Sequence, residues 1–294
     1  MINYKIPMMI AACAGLLVGG IGVSYSETIK VNKYPVNKTI TYSFTVQNTT
    51  GQPLEQAEFW TYAPVKQTGS QKVNSLVVSA PYEMINDKLG NQVLHFKFDT
   101  LAPYAVKIIT IRADLLLTDT PNIENINSKD SFLAAEKYVE IDNPKLIEVA
   151  ESVIGKTQLE TAKNSFNWTA SNVQSEMYIP DDRGALYALE TRKGDCTEFM
   201  YLFAALSRIN NIPARGMGGY VYSDNATLKA QDYHNWAEFY EDGRWRISDP
   251  QKRIFNEKSS QFIAMRIISS SADNVLGNAH RFHYAGEGLK VVMN

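Results

Sequence analysis

The sequence predicts an α+β protein, because a β-rich first part is followed by a part with helical spacing and one clear hairpin turn. In residues 39–46, apolar side chains alternate with polar ones, which is the period of a half-buried strand. Beyond residue 130 the spacing of apolar residues becomes helical, and Asp242-Gly243 is a strong signal for a tight hairpin turn. We therefore expect a β domain followed by a domain of mixed structure.

The β-rich part extends from residue 27 to residue 118. Residues 94–98 repeat the alternation of the first strand, and residues 106–111 form a run rich in β-branched side chains. Short strands separated by turn residues are typical of an antiparallel β-sandwich. Residues 119–130 are polar and rich in turn residues, so we expect them to link the sandwich (residues 27–118) to a second domain, residues 131–294.

Two helices are expected early in the second domain. Asn143 followed by Pro144 is the pattern of an N-cap with proline at the first helical position. Thr157 and Glu160 have the spacing of a capping box, which predicts the start of the next helix.

The first 26 residues, 1–26, have the features of an export signal peptide. A short, positively charged start is followed by an apolar run over residues 6–23, and Ser24-Tyr25-Ser26 supplies the small residues that an export peptidase recognises. We expect cleavage after residue 26 and a protein outside the cytoplasm, either periplasmic or secreted. The alternatives are an uncleaved membrane anchor, since the run could just span a bilayer, and lipid attachment at Cys13 in a lipoprotein-like motif.

The charge of the chain is nearly balanced. The 294 residues carry a net charge of −2, and no block of like charge stands out. Such a balance gives no support to binding of nucleic acid or of an anionic membrane surface. We therefore expect a protein or peptide as the partner, membrane contact only through the N-terminal segment, and no cofactor.

Cys196 is the residue that most suggests chemistry. Once the signal peptide is removed, this thiol has no other cysteine in the chain to pair with, and a nucleophile is the usual explanation. Asp195 and Glu198 have capping-box spacing, which places Cys196 in the first turn of a helix. There the helix dipole favours the thiolate. The alternative is a small buried side chain, which the polar and small flanking residues disfavour.

The predicted hairpin brings His234 and Asp249 together. A two-residue turn at Asp242-Gly243 aligns Asp249 with Trp236 and places it diagonal to His234, within reach of long side chains. Cys196, His234 and Asp249 are therefore candidates for a nucleophile, its base and the residue that orients the base.

The residues around these three positions form a more specific pattern than the residue types alone. The pattern consists of Gly184-Ala185-Leu186, Gly194-Asp195-Cys196-Thr197-Glu198, Leu202-Phe203-Ala204-Ala205-Leu206-Ser207-Arg208, Ile212-Pro213-Ala214-Arg215, Gly219-Tyr220, His234-Asn235-Trp236-Ala237-Glu238, Trp245 and Asp249-Pro250. From about Ser131 to Pro250 the sequence resembles the transglutaminase-like superfamily. The resemblance implies a papain-like core, in which helices pack on an antiparallel sheet. It also implies that Cys196, His234 and Asp249 are catalytic and that Tyr178 and Trp236 line the substrate-binding cleft.

The resemblance implies cysteine-dependent acyl transfer on protein or peptide amides through a thioester. Either water or an amine could accept the acyl group, so the enzyme could be a peptidase, an amidase or a crosslinking transglutaminase. We favour hydrolysis, because an amine-transferring enzyme must exclude water.

Two other classes of function remain open. The chain could be a catalytically inert interaction protein of the cell envelope. A metal site built from Cys196, His234 and Asp249 is disfavoured, because the hairpin places Asp249 behind the imidazole rather than beside it. His280 and His283 are three residues apart and could share a helix face, but no third ligand is apparent, so structural roles are expected.

Overall fold

The computed structural model of the chain describes residues 33–126, 129–269, 273–277 and 279–294. The expected signal peptide and Cys13 lie outside the described residues, so those expectations stay predictions. Within these ranges, no helix combines the length and the apolar character that a membrane crossing needs.

The strands and helices follow the two kinds of spacing seen in the sequence. In chain order the strands are β1 Val36–Asn48, β2 Leu54–Ala63, β3 Gln71–Val78, β4 Glu83–Asn86, β5 Gln92–Leu101, β6 Val106–Leu117, β7 Gln174–Ser175, β8 Lys193–Gly194, β9 Ala214–Val221, β10 Ala226–Thr227, β11 His234–Glu241, β12 Arg244–Asp249, β13 Ile254–Phe255, β14 Phe262–Ile268, β15 Phe282–Ala285 and β16 Leu289–Met293. The helices are α1 Pro144–Ser152, α2 Gln158–Asn172, α3 Ala185–Thr191 and α4 Cys196–Ile209. The α+β class is therefore confirmed.

The N-terminal strands form two sheets that face each other. One sheet has the order β10-β1-β6-β3, with β16 also paired to β1, and the other has the order β15-β2-β5-β4. Every second residue of β1 is buried, as the alternation predicts. Phe44 of β1 packs on Phe59 of the opposite sheet with ring centroids 4.8 Å apart, and Phe59 stacks on Phe96 at 5.4 Å. The predicted β-sandwich is thus present.

The end of the chain belongs to this sandwich. β15 pairs with β2, and β16 pairs antiparallel with β1 so that Phe44 lies opposite Met293. His283 therefore lies on a strand, where it stacks on Trp60, and it does not share a helix face with His280. Residues 33–294 form one compact unit. The boundaries expected at residues 118 and 130 stay a prediction.

The second part has helices packed on one face of an antiparallel sheet. The sheet has the order β13-β12-β11-β9-β14, and α1 to α4 pack against it and one another around a core that includes Phe203 and Phe239. The side chain of Asn143 accepts a hydrogen bond from the Lys145 amide at the start of α1, and that of Thr157 does the same for the Glu160 amide at the start of α2. Both helix starts agree with the sequence prediction.

The stretch expected to be a linker is bound to the sheet. The amide of Glu124 donates to the carbonyl of Gly243, and the Tyr240 hydroxyl donates to the carbonyl of Glu124 at 2.6 Å. The Arg244 guanidinium also donates to the carbonyl of Pro121. These bonds hold residues 121–124 against the β11–β12 hairpin, which carries two of the candidate site residues.

Candidate active site

Cys196 is the first residue of α4, as the capping-box spacing predicts. The Asp195 carboxylate accepts a hydrogen bond from the Thr197 amide at 2.8 Å, and the Glu198 carboxylate accepts one from the Asp195 amide at 3.1 Å. The Asp195 carboxylate also accepts from the Ile179 amide at 2.9 Å. The start of α4 is therefore held by bonds on both sides of the thiol.

A buried ion pair reinforces this helix start. The Glu198 side chain is 1% exposed and accepts from the Arg183 guanidinium at 2.8 Å and from the Arg183 amide at 3.0 Å. Burial raises the pKa of Glu198, and the hydrogen bonds from Arg183 lower it. Gly194 precedes this network, and a Cβ atom there would overlap the Glu198 side chain. The glycine in the motif is explained by this close approach.

His234 and Asp249 meet across the predicted hairpin. β11 and β12 pair Tyr240 with Trp245 through a two-residue turn, in which both Asp242 and Gly243 have positive φ. The Nε2 atom of His234 lies 2.7 Å from the Oδ2 atom of Asp249.

The hydrogen bonds of Asp249 define the tautomer of His234. Both side chains are buried, with exposures of 8% for His234 and 1% for Asp249, and the Lys252 amide donates to the other Asp249 oxygen at 3.0 Å. An ionised carboxylate can only accept hydrogen bonds, so Nε2 of His234 carries a proton. Nδ1 of the neutral ring is then free to act as a base.

A bond between strand and helix brings the two halves of the site together. The Asn235 side-chain amide donates to the Thr197 hydroxyl at 2.9 Å, which ties the start of β11 to the start of α4. The Asn235 backbone amide also acts on the sulfur of Cys196, where it lowers the pKa of the thiol. His234 and Cys196 are the chain neighbours of these two residues, and both line the same cleft.

Cys196 and His234 line one open cleft of about 470 Å³. The other lining residues are Glu176, Tyr178, Asp195, Ala230, Gln231, Tyr233, Gln251 and Arg281. Tyr178 is 55% exposed at this cleft, which is the location that the resemblance implied. Its volume lies within the range that is usual for ligand-binding clefts, and the thiol is part of its lining.

Trp236 lies in the core rather than in the cleft. Its side chain is 1% exposed and packs on Phe262 with ring centroids 5.1 Å apart. Val65, from the loop after β2, belongs to the same apolar cluster and covers this face of the sheet. The alternation along β11 correctly places Trp236 on the same face of the sheet as His234. At Trp236, two residues further along the strand, other side chains cover that face and the indole is buried.

The charge state of Cys196 depends on opposing effects. Burial raises the pKa of its thiol, and the Asp195 carboxylate raises it further, whereas hydrogen bonds from the Asn235 amide and the Thr197 side chain lower it. Loss of solvation is the largest of these effects, and it acts against the thiolate that a helix start favours. At neutral pH the thiol of the free protein keeps its proton, so a base must remove it before attack.

The site does not have the arrangement of a metal centre. Among the residues that the structure describes, no three His, Cys, Asp or Glu side chains are grouped so that they could hold a metal ion. Asp249 binds the far nitrogen of His234, which is the position of an orienting group.

Several residues at the site were not identified from the sequence. Asn235 and Thr197 connect strand and helix, and Arg183 neutralises Glu198. For Asn235 and Thr197, the sequence offered one local signal: each directly follows a candidate site residue, His234 and Cys196 respectively. For Arg183 it offered none. Arg281 reaches the cleft from a segment after β14, and no short-range pattern indicates that approach.

Comparison with known proteins finds similarity in one segment of the sequence and in the fold. Residues 147–250 match the model of the transglutaminase-like superfamily. A candidate cysteine protease from Cytophaga hutchinsonii has a similar fold, with a TM-score of 0.58 at 18% identity over 88% of this chain and 90% of that chain. The periplasmic domain of TgpA from Pseudomonas aeruginosa is also similar, with a TM-score of 0.41 at 13% identity over 71% of this chain and 87% of that chain. No curated protein matches the sequence. The matched segment, residues 147–250, includes Cys196, His234 and Asp249, and it is this segment that is similar to the transglutaminase-like superfamily.

Proposed function

We propose that this protein is a cysteine-dependent enzyme that transfers acyl groups from protein or peptide amides, with water as the main acceptor. The observation that carries the proposal is the placement of Cys196 and His234 in one cleft, with the imidazole bound to Asp249 at 2.7 Å. Nucleophile, base and orienting carboxylate are the parts that such a reaction needs.

In the proposed first step, the Cys196 sulfur attacks the carbonyl carbon of the amide. His234 accepts the thiol proton at Nδ1 and then gives it to the leaving amine, while Asp249 stabilises the imidazolium through Nε2. The products are a thioester on Cys196 and the released amine. In the second step, His234 removes a proton from water, and the water oxygen attacks the thioester carbon. The carbon–sulfur bond then breaks, the acyl group leaves as a carboxylic acid, and His234 returns the proton to the Cys196 sulfur.

The start of α4 also supports stabilisation of the oxyanion. The Cys196 backbone amide belongs to the first turn of the helix, where amide groups have no intrahelical acceptor. It can therefore donate to the carbonyl oxygen of the substrate as that oxygen becomes negative.

The open cleft favours water as the acyl acceptor. A transferase protects its thioester from solvent and admits an amine through a shielded path. Here Cys196 is partly exposed in a cleft of about 470 Å³. We therefore propose a peptidase or amidase ahead of a crosslinking transglutaminase.

A glutamine-containing peptide with a labelled primary amine tests the acceptor. We expect Cys196-dependent release of ammonia or cleavage of the peptide, with little amine incorporated. Mass spectrometry of the peptide measures both, and Cys196→Ser is the control. Incorporation of the amine as the main product would instead identify a transferase, and no product with any peptide of a broad library would count against catalysis.

An inert interaction protein is the second candidate, and one observation favours it. Burial raises the pKa of the Cys196 thiol, which lowers the reactivity of the resting protein. The rate of Cys196 alkylation in wild type and in His234→Ala separates the two candidates, because an inert protein has no need for a base at His234.

We also propose that the protein works outside the cytoplasm, on the basis of its first 26 residues. It would be periplasmic or secreted, with retention by the N-terminal segment or by lipid on Cys13 as alternatives. Sequencing the N-terminus of the protein recovered from its cells tests this. A chain that begins at residue 27 supports export with cleavage, and a cytoplasmic protein that keeps Met1 contradicts it.

A further inference from the structure

Arg281 places a positive charge in the cleft that no acidic side chain of the described residues neutralises. The residue lines the same cleft as Cys196, and its Nε atom is buried without a hydrogen-bond partner among those residues. It lies outside the segment that matches the superfamily model.

The other charges near the cleft are compensated by their own neighbours. Glu176 accepts from Arg183 at 3.3 Å, and Asp195 is held by the backbone amides of Thr197 and Ile179. His280, next to Arg281, is paired with Asp182 at 3.3 Å. The positive charge of Arg281 is therefore available to bind an anionic ligand.

The backbone and the ring beside Arg281 hold it in place. Its carbonyl accepts from the Tyr62 amide at 3.3 Å and from the Thr61 hydroxyl at 3.1 Å, so the sandwich fixes this part of the chain. Its guanidinium lies 5.5 Å from the ring centroid of Tyr233, whose ring stacks on His280 at 5.8 Å. A guanidinium held in this way loses little conformational freedom when it binds an anion.

We propose that Arg281 binds a carboxylate of the substrate and makes the enzyme selective for acyl substrates that carry a negative charge near the reacting amide. This inference rests on the proposed function of Cys196. A planar guanidinium matches a carboxylate in geometry and can donate two parallel hydrogen bonds to it. The carboxylate could be the free C-terminus of a peptide or an acidic side chain.

Two alkylating reagents of nearly equal size test the charge preference without knowledge of the substrate. Iodoacetate carries a carboxylate and iodoacetamide does not, and each forms a carbon–sulfur bond with Cys196 as iodide leaves. We would measure both rates at Cys196 by peptide mass spectrometry in the full chain and divide each by the rate for N-acetylcysteine. A protonated His234 would also attract iodoacetate, so the comparison between variants is the decisive one.

The preference for iodoacetate is expected to fall roughly tenfold in Arg281→Gln, since hydrogen bonds to a charged partner are among the stronger ones. Arg281→Lys should keep much of it, and Arg112→Gln, which changes an exposed arginine of the sandwich, should keep all of it. An unchanged preference in Arg281→Gln would overturn the proposal. If that variant does not fold, His234→Ala decides: a preference for iodoacetate that remains without the imidazole and weakens as added salt screens the charge supports the proposal, and no preference there overturns it.

Peptide substrates distinguish the two sources of the carboxylate. One pair would differ only in a free or amidated C-terminus, and a second pair only in Glu or Gln beside the reacting amide. A higher kcat/KM for the charged member of either pair supports the proposal if the difference disappears in Arg281→Gln. The pair that shows the difference identifies whether the C-terminus or the side chain supplies the carboxylate. Equal turnover within both pairs removes the Arg281 inference and leaves the proposed function intact, whereas loss of all Cys196-dependent turnover removes both.

Discussion

Replacing His234 with alanine is expected to slow the alkylation of Cys196 by iodoacetamide about 100-fold near neutral pH, the usual contribution of a positioned base. Burial and the Asp195 carboxylate raise the pKa of the thiol, so few molecules hold a thiolate unless a base takes the proton. In the variant, the rate should rise with pH far into the alkaline range, because only hydroxide then removes the proton.

The matched control for this experiment is His283→Ala. His283 stacks on Trp60 on the outer face of the sandwich and does not line the cleft, so its loss should leave the alkylation rate unchanged. Peptide mass spectrometry assigns the label to Cys196 in each protein. Equal rates for wild type and His234→Ala would mean that the imidazole does not act on the thiol, and the inert interaction protein would then be the better explanation.

Replacing Glu198 with alanine is expected to lower the free energy of unfolding by about 3 kcal/mol, which is within the range for breaking a buried ion pair. The change removes the capping bond to the Asp195 amide and leaves Arg183 without its most buried partner. Glu198→Gln keeps a side-chain acceptor for the Asp195 amide, so its loss should be smaller. Urea denaturation followed by tryptophan fluorescence measures each value.

An exposed pair of the same kind provides the comparison. Glu190 lies 2.6 Å from Lys145, and the two side chains are 45% and 65% exposed. Because solvent screens such a pair, Glu190→Ala should cost less than about 1 kcal/mol. A similar loss for Glu190→Ala and Glu198→Ala would show that burial of the Arg183 pair adds nothing to stability.

Local signals in the sequence were enough to predict the geometry around the nucleophile and the hairpin. Asp195 and Glu198 are three residues apart, and their capping bonds involve only the first turn of α4. Asp242-Gly243 determines the register of β11 and β12 through the positive φ angles that the turn requires. In both cases the residues that decide the structure are sequence neighbours of the residues they position.

Contacts between distant parts of the chain could not be predicted in this way. The period of β11 shows that Trp236 shares a face with His234, but it carries no information that Val65 and Phe262 cover that face. Arg281 reaches the cleft because its backbone is bonded to Thr61 and Tyr62 of the sandwich. These positions depend on tertiary packing, which the sequence pattern around each residue does not contain.

The pairing of the last strand with the first one has a consequence for how the protein folds. β16 pairs with β1, so Phe44 and Met293 can come together only after the residues of β16 have been synthesised. Contacts between residues so far apart in sequence require closure of a long loop, which slows folding. Until then β1 lacks β16 and β2 lacks β15, so each strand has an unpaired edge. Unpaired edges of this kind pair readily with other chains. We therefore expect loss of residues 282–293 to cause aggregation, although none of these residues lines the cleft.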